Sequence, residues 1–209
     1  MMQIRPKKCN IIICSAWMIS YILHPVFIPF YVLLIFFLIS HFFFYDIEKI
    51  IKLIFLSAVI VPLLIQYLLY RLKILRSFFL VQWKARIGFT LLMAFIYYLL
   101  FTTLHPVSVL NHISLFFRGI TVSLLISAGF NMFKKRISLH ALALGGALFF
   151  LLKWSHDYKT NILDIISAAI TLTTLTLAAR IKLNAHNITE IAIGLLTGIA
   201  GQTVSFFIL

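Results

Sequence analysis

The chain has 209 residues, of which 63% are hydrophobic and 11% charged, with a mean hydropathy of +1.08. Soluble domains run nearer roughly 45–50% apolar and 25% charged, so the composition excludes a soluble globular domain. It calls for an all-α, polytopic membrane protein with about six to eight transmembrane helices, each roughly 20 apolar residues long. Eighteen Lys and Arg against five Asp and Glu give a formal charge of +13. The basic residues fall in short clusters between apolar runs, which fits loop anchoring and anionic lipid headgroups and argues against a nucleic-acid partner.

The N-terminus carries Arg5, Lys7 and Lys8 before an apolar run. No small-residue cleavage site follows, and the pattern predicts a retained membrane anchor. Cys9 and Cys14 lack metal-ligand spacing and a disulfide framework, and read as packing or lipid-facing residues. Residues 10–45 are long enough for one tilted helix plus an extra segment, or for two short passes. Pro25 and Pro29 in "HPVFIP" break the run by removing backbone donors. Further spans are predicted at about 53–70, 87–104, 107–131, 138–153, 162–179 and 190–209. Residues 1–209 therefore form a single integral-membrane domain, with N-terminal membrane helices over 10–70 and a core over 71–209 that carries the chemistry-bearing residues.

Three basic segments, 71–86, 132–138 and 180–189, separate these spans, with two spans between successive segments. An even number of crossings returns the chain to the same face, so all three segments are predicted to meet on one side of the membrane. The first carries Arg71, Lys73, Arg76, Lys84 and Arg86. Snorkelling at the headgroups suits Arg71, Lys73 and Arg76, whereas Lys84 and Arg86 stand at the mouth of a span. The second reads "FKKRISLHALALGGA", with Arg136, Ser138 and His140 ahead of Gly145 and Gly146. Here Ser138 fits a helix cap and the glycines fit close helix packing.

The third segment, "ARIKLNAHNITE", sets Arg180, His186 and Glu190 at the spacing R-x5-H-x3-E. The counts of Arg, His and acidic residues give about 0.006 expected chance matches to such a pattern. Asn187 and Glu190 also fit an N-x-x-E helix cap. Arg118 lies inside a span, where an unpaired charge is costly, and Asp164 is its expected partner. His24 and His105 precede prolines and read as helix-break or interfacial residues. His41, His112 and His156 have no charged partner at an informative spacing.

On these residues the chain resembles the type 2 phosphatidic acid phosphatase (PAP2) superfamily, in a divergent bacterial branch. That family's pattern is K-x6-R-P, then P-S-G-H, then S-R-x5-H-x3-D. The third motif is matched by Ala179, Arg180, His186 and Glu190, and the second by Ile137-Ser138-Leu139-His140. Lys84 and Arg86 occupy the region of the first, whose spacing is not kept. Ala179 replaces a serine, Glu190 an aspartate, and Ile137 and Leu139 a proline and a glycine. "ISYILHPVFIPFY" and "KARIGFTLLMAFIYYLL" are similar to that branch as well.

The resemblance implies a PAP2-like helical core and a metal-independent hydrolase acting on a lipid phosphate or diphosphate, such as an isoprenoid diphosphate, phosphatidylglycerophosphate or lipid A, with membrane lipids as its other partners. His186 would be the nucleophile, forming a phosphohistidine. Glu190 would orient it, and His140 would serve as acid and base. Arg180, Arg86, Lys84, Arg136 and Ser138 would hold the phosphate. No metal and no cofactor is expected, and the oligomeric state is not legible. The alternative is a non-catalytic relative that binds or transports an anionic lipid. The resemblance further implies a bacterial inner (cytoplasmic) membrane with the site on the periplasmic face. The positive-inside rule alone would turn those ten Lys and Arg inward, but active-site arginines inflate that count.

Overall fold

The computed structural model describes residues 11–40, 47–73 and 83–208, which are helical apart from short connections, with no strand among them. Five helical stretches are long and apolar enough to cross a membrane: Ile47–Arg71, Trp83–Leu104, Ser108–Met132, Leu163–Lys182 and Ile188–Phe207. The protein is a helical membrane protein. The predicted spans 53–70, 87–104, 107–131, 162–179 and 190–209 overlap these helices, whereas 138–153 falls on the helix Leu139–Asp157, which is not among the five, and 10–45 holds two shorter apolar helices.

Near the N-terminus the chain forms α1 (Ile11–Ile22) and α2 (Ile28–Ser40). At about 1.5 Å per residue neither reaches across a hydrocarbon layer of about 30 Å alone. The break between them follows from Pro25, which has no N–H to continue α1, while Pro29 falls in the first turn of α2, where none is needed. Cys14 in α1 is disulfide-bonded, contrary to its reading as a packing thiol.

The next run, Ile47–Arg71, is α3 (Ile47–Phe55) and α4 (Val61–Arg71), joined through a π-helical turn at Leu56–Ile60. Pro62 sits just past that turn and cannot donate to the carbonyl four residues back, so the local register widens. The core follows as α5 (Trp83–Leu104), α6 (Asn111–Met132), α7 (Leu139–Asp157), α8 (Leu163–Lys182) and α9 (Ile188–Phe207). α6 packs broadly on α5 and α9, and α9 on α7, while α5 and α7 barely touch.

Six of the eight glycines meet neighbouring atoms where a Cβ would stand, and no glycine has a positive φ. Four residues with positive φ follow helix C-termini, and they are Lys73, Lys134, Lys159 and Asn184. A lysine there bears a modest left-handed strain but sets a cation at the negative end of the helix dipole. The α9 glycines instead face neighbouring backbone. A Cβ on Gly194 would lie 2.6 Å from the Ser138 carbonyl oxygen, and one on Gly198 would lie 2.0 Å from that of Leu142. This small-xxx-small face lets α9 seat against the start of α7 at backbone contact, which fixes where the second and third basic segments meet.

Candidate functional site

Ile137 and Ser138 are the hub of the site. The Ser138 N–H donates to the Glu190 carbonyl in the first turn of α9 (3.0 Å), and the Ile137 carbonyl accepts from Arg86 Nη2 of α5 (3.0 Å). Three elements far apart in sequence are thus stitched at one end of the bundle. Both flanking helices are capped there, α7 by Ser138 Oγ accepting from the Ala141 N–H (3.4 Å) and α9 by Asn187 Oδ1 accepting from the Glu190 N–H (2.8 Å).

Beside this hub a cavity of about 500 Å³ opens between α5 and α7, with α6 as its floor and the α1–α2 break over it. Arg86, Arg136, His140, Arg180 and His186 all line it. The basic segments therefore converge as parity requires, since α5–α6 and α7–α8 each leave this end and return to it.

His186 and Glu190 form a polar pair on the cavity, with Nδ1 and Oε2 2.6 Å apart. An ionised carboxylate only accepts, so Nδ1 carries the proton and Nε2 presents its lone pair. Burial pushes the His186 pKa below the usual histidine value, opposed by Glu190 and reinforced by Arg180 and Arg136. The ring is accordingly neutral at neutral pH, as a nitrogen nucleophile must be. His140 is buried and its Nε2 donates to the Ser20 carbonyl of α1 (3.1 Å), which leaves Nδ1 as the basic atom.

Electrostatically the site is strongly positive. Arg86, Arg136 and Arg180 line the cavity with His186, whose partner Glu190 is the one carboxylate of the group. The Nε atoms of Arg86 and Arg180 are buried without a hydrogen-bond partner among the described residues. Buried guanidinium donors without partners are expensive, and an anion in the cavity would satisfy them. His, Cys, Asp and Glu side chains form no group suited to a metal ion among the described residues.

The remaining expected residues lie elsewhere. Lys84 is not among the cavity-lining residues; its Nζ rests over the Trp83 ring, 5.5 Å from the centroid, and Lys134 Nζ lies 5.8 Å from the same centroid. Ser138 is fully buried and acts as the α7 cap. Arg71 lies over Tyr67, and Arg76 falls outside the described residues. Arg118 does not meet Asp164. It donates from Nε to Ser205 Oγ (3.1 Å) and from Nη2 to the Ser205 carbonyl (2.5 Å), with Phe101 beneath it. The pairing fails because α9, not α8, packs along α6.

Sequence reasoning missed His24. It lines the cavity, its ring stands edge-on to His140 at 5.6 Å, and its Nδ1 accepts from the Val26 N–H (3.4 Å). Burial, helped by Arg180, lowers its pKa to about 4. The available signal was the His-Pro break itself, which sets a polar ring at a helix interruption. Compared with protein-family models, curated proteins and solved structures, the chain matches none.

Proposed function

We propose that the protein is a membrane-embedded, metal-independent phosphatase that hydrolyses a lipid phosphate or diphosphate through a phosphohistidine. The observation that carries this reading is the His186–Glu190 pair, at 2.6 Å, on a cavity shared with Arg86, Arg136, Arg180 and His140. It has the parts that phosphoryl transfer needs: a neutral nucleophile with a fixed tautomer, and positive charge around the equatorial oxygens.

In the proposed reaction Nε2 of His186 attacks phosphorus and the P–O bond to the leaving group breaks. Glu190 stabilises the imidazolium character that develops, as the acid of a catalytic triad does. His140, neutral before substrate arrives, would take a proton at Nδ1 as the phosphate anion binds, give it to the leaving oxygen, and then take one from the water that cleaves the P–N bond. The guanidinium groups hold the phosphoryl oxygens in line throughout. The resemblance to the PAP2 superfamily supports the same roles. It also supports a bacterial inner membrane with a periplasmic site.

A second reading, a non-catalytic binder or carrier of an anionic lipid, is favoured by two observations. Ala179, buried at 6% exposure, brings no hydroxyl, and Lys84 stands away from the cavity. Phosphate release from a panel of lipid phosphates by wild type and His186→Ala separates the two. Release by wild type alone supports the phosphatase; equal release by both removes the mechanism, and none by either favours the binder.

A further inference from the structure

The cavity is much longer than a phosphate. From Arg86 to Tyr97, both lining it, α5 rises about 16 Å at 1.5 Å per residue. Below the ring of His and Arg the walls are mostly apolar, with Phe89 and Met93 from α5, Ile120 and Leu124 from α6 and Ala143 from α7, and with Ser123 and Gln66 as polar members. The foot is closed by Tyr97, which stacks on Phe117 at 5.8 Å, and by Gln202, whose Nε2 donates to the Phe116 carbonyl (3.1 Å). The space exists because α5 packs on α6 and α7 mainly on α9, while α5 and α7 barely touch.

Cationic at the mouth and apolar over its length, this cavity is complementary to one kind of molecule, an anionic headgroup joined to a hydrocarbon chain. We infer that it is a tail pocket inside the bundle, taking one alkyl, acyl or prenyl chain of a lipid phosphate between α5 and α7 while the phosphate rests among Arg86, Arg136 and Arg180. With C–C bonds near 1.5 Å an extended chain advances about 1.25 Å per carbon, so the pocket holds roughly a dozen chain carbons. A second chain, or the rest of a longer one, stays in the bilayer. The inference rests on the lipid phosphate reading for its headgroup but not on turnover.

The test is photo-crosslinking of full-length protein in nanodiscs with a dodecyl phosphonate carrying a diazirine at its chain end, the adducts being mapped by mass spectrometry. Phosphonates are not hydrolysed, so the outcome is independent of catalysis. Adducts are expected on Tyr97, Phe116 and Gln202. Ala143→Phe, which fills the channel one turn below His140, should cut their yield at least tenfold, and an eicosyl probe should label those residues poorly. Met93→Trp narrows the opposite wall and serves if Ala143→Phe does not fold. Excess inorganic phosphate should compete weakly, since it fills only the headgroup end. Adducts confined to the outward-facing Phe95 and Leu99, at equal yield in wild type and variants, would overturn the tail pocket. Internal adducts from a protein that releases no phosphate would instead leave the pocket standing and remove the phosphatase.

Discussion

The two ends of the bundle both gather histidines, yet they solve opposite electrostatic problems. At the end away from the cavity, Asp157 closes α7 and is enclosed by its own neighbours. Lys153 Nζ lies 2.5 and 2.7 Å from its two carboxylate oxygens, His112 Nε2 3.0 Å and His156 Nδ1 3.1 Å, while Tyr158 Oη meets His112 Nδ1 at 3.2 Å. One acid there is answered by every base in reach, which makes a structural clasp between α6 and α7. At the cavity end the excess of basic groups is larger and is not answered by hydrogen bonds. Three arginines and three histidines share one carboxylate, and guanidinium donors are left buried without partners among the described residues. Where charge is satisfied internally the bundle is being held together. Where it is left over, the proposed anionic substrate would answer it.

Substitutions at the two ends should therefore separate. Arg180→Ala should lower phosphate release by a factor of about 10²–10³ with the thermal midpoint nearly unchanged, read by a phosphate assay beside detergent-phase unfolding. A loss of stability in place of activity would make Arg180 part of the scaffold. Gly198→Ala should cost about 3 kcal/mol of stability, the upper end of what overpacking costs, because its Cβ would strike the Leu142 carbonyl oxygen at 2.0 Å. The hub at Ile137 and Ser138 should loosen with it, so activity falls as the midpoint does.

The cavity end should also be the acid-sensitive one. His24 has its pKa lowered to about 4 from about 6.5 in the unfolded chain. The unfolded state therefore takes up its proton first. The contribution is complete above pH 6.5 and is lost as pH falls from 6.5 to 4, by about 3 kcal/mol. Unfolding midpoints measured across that window should fall in wild type and fall less in His24→Gln. Activity should meanwhile persist below pH 6.5, since the His186 pKa is also lowered. The smallest effect is expected at the other end, where Asp157→Asn should cost about 1 kcal/mol and leave phosphate release unchanged. Equal loss of activity there would dissolve the contrast between the two ends.

What was legible in the sequence was local. The apolar spans follow from composition over some 20 residues, and Arg180, His186 and Glu190 lie within one helix end and the next helix start. Their convergence with Arg86 and His140 was legible too, because parity needs only a count of crossings. What was not legible depends on which helix lies beside which. The Ser205 partner of Arg118, the Ser20 carbonyl on His140, the clasp of His112 on Asp157 and the entry of His24 into the cavity are all contacts between distant segments. The departure of Lys84 from the expected site has the same origin, since a position at a span mouth does not say which way the side chain turns. The close approach of α9 to α7 was half visible in Gly145 and Gly146. Its other half, Gly194 and Gly198, reads as ordinary membrane-helix composition until the partner is known.

The central claim is that His186 is the nucleophile. The direct measurement is to mix the protein with a lipid phosphate labelled at phosphorus, quench in alkali, where phosphohistidine survives, and locate the label by peptide mapping. Label on His186, absent in His186→Ala and accumulating in His140→Ala as its hydrolysis slows, is the expected result. Steady phosphate release with no label at His186, undiminished in His186→Ala, would contradict the account.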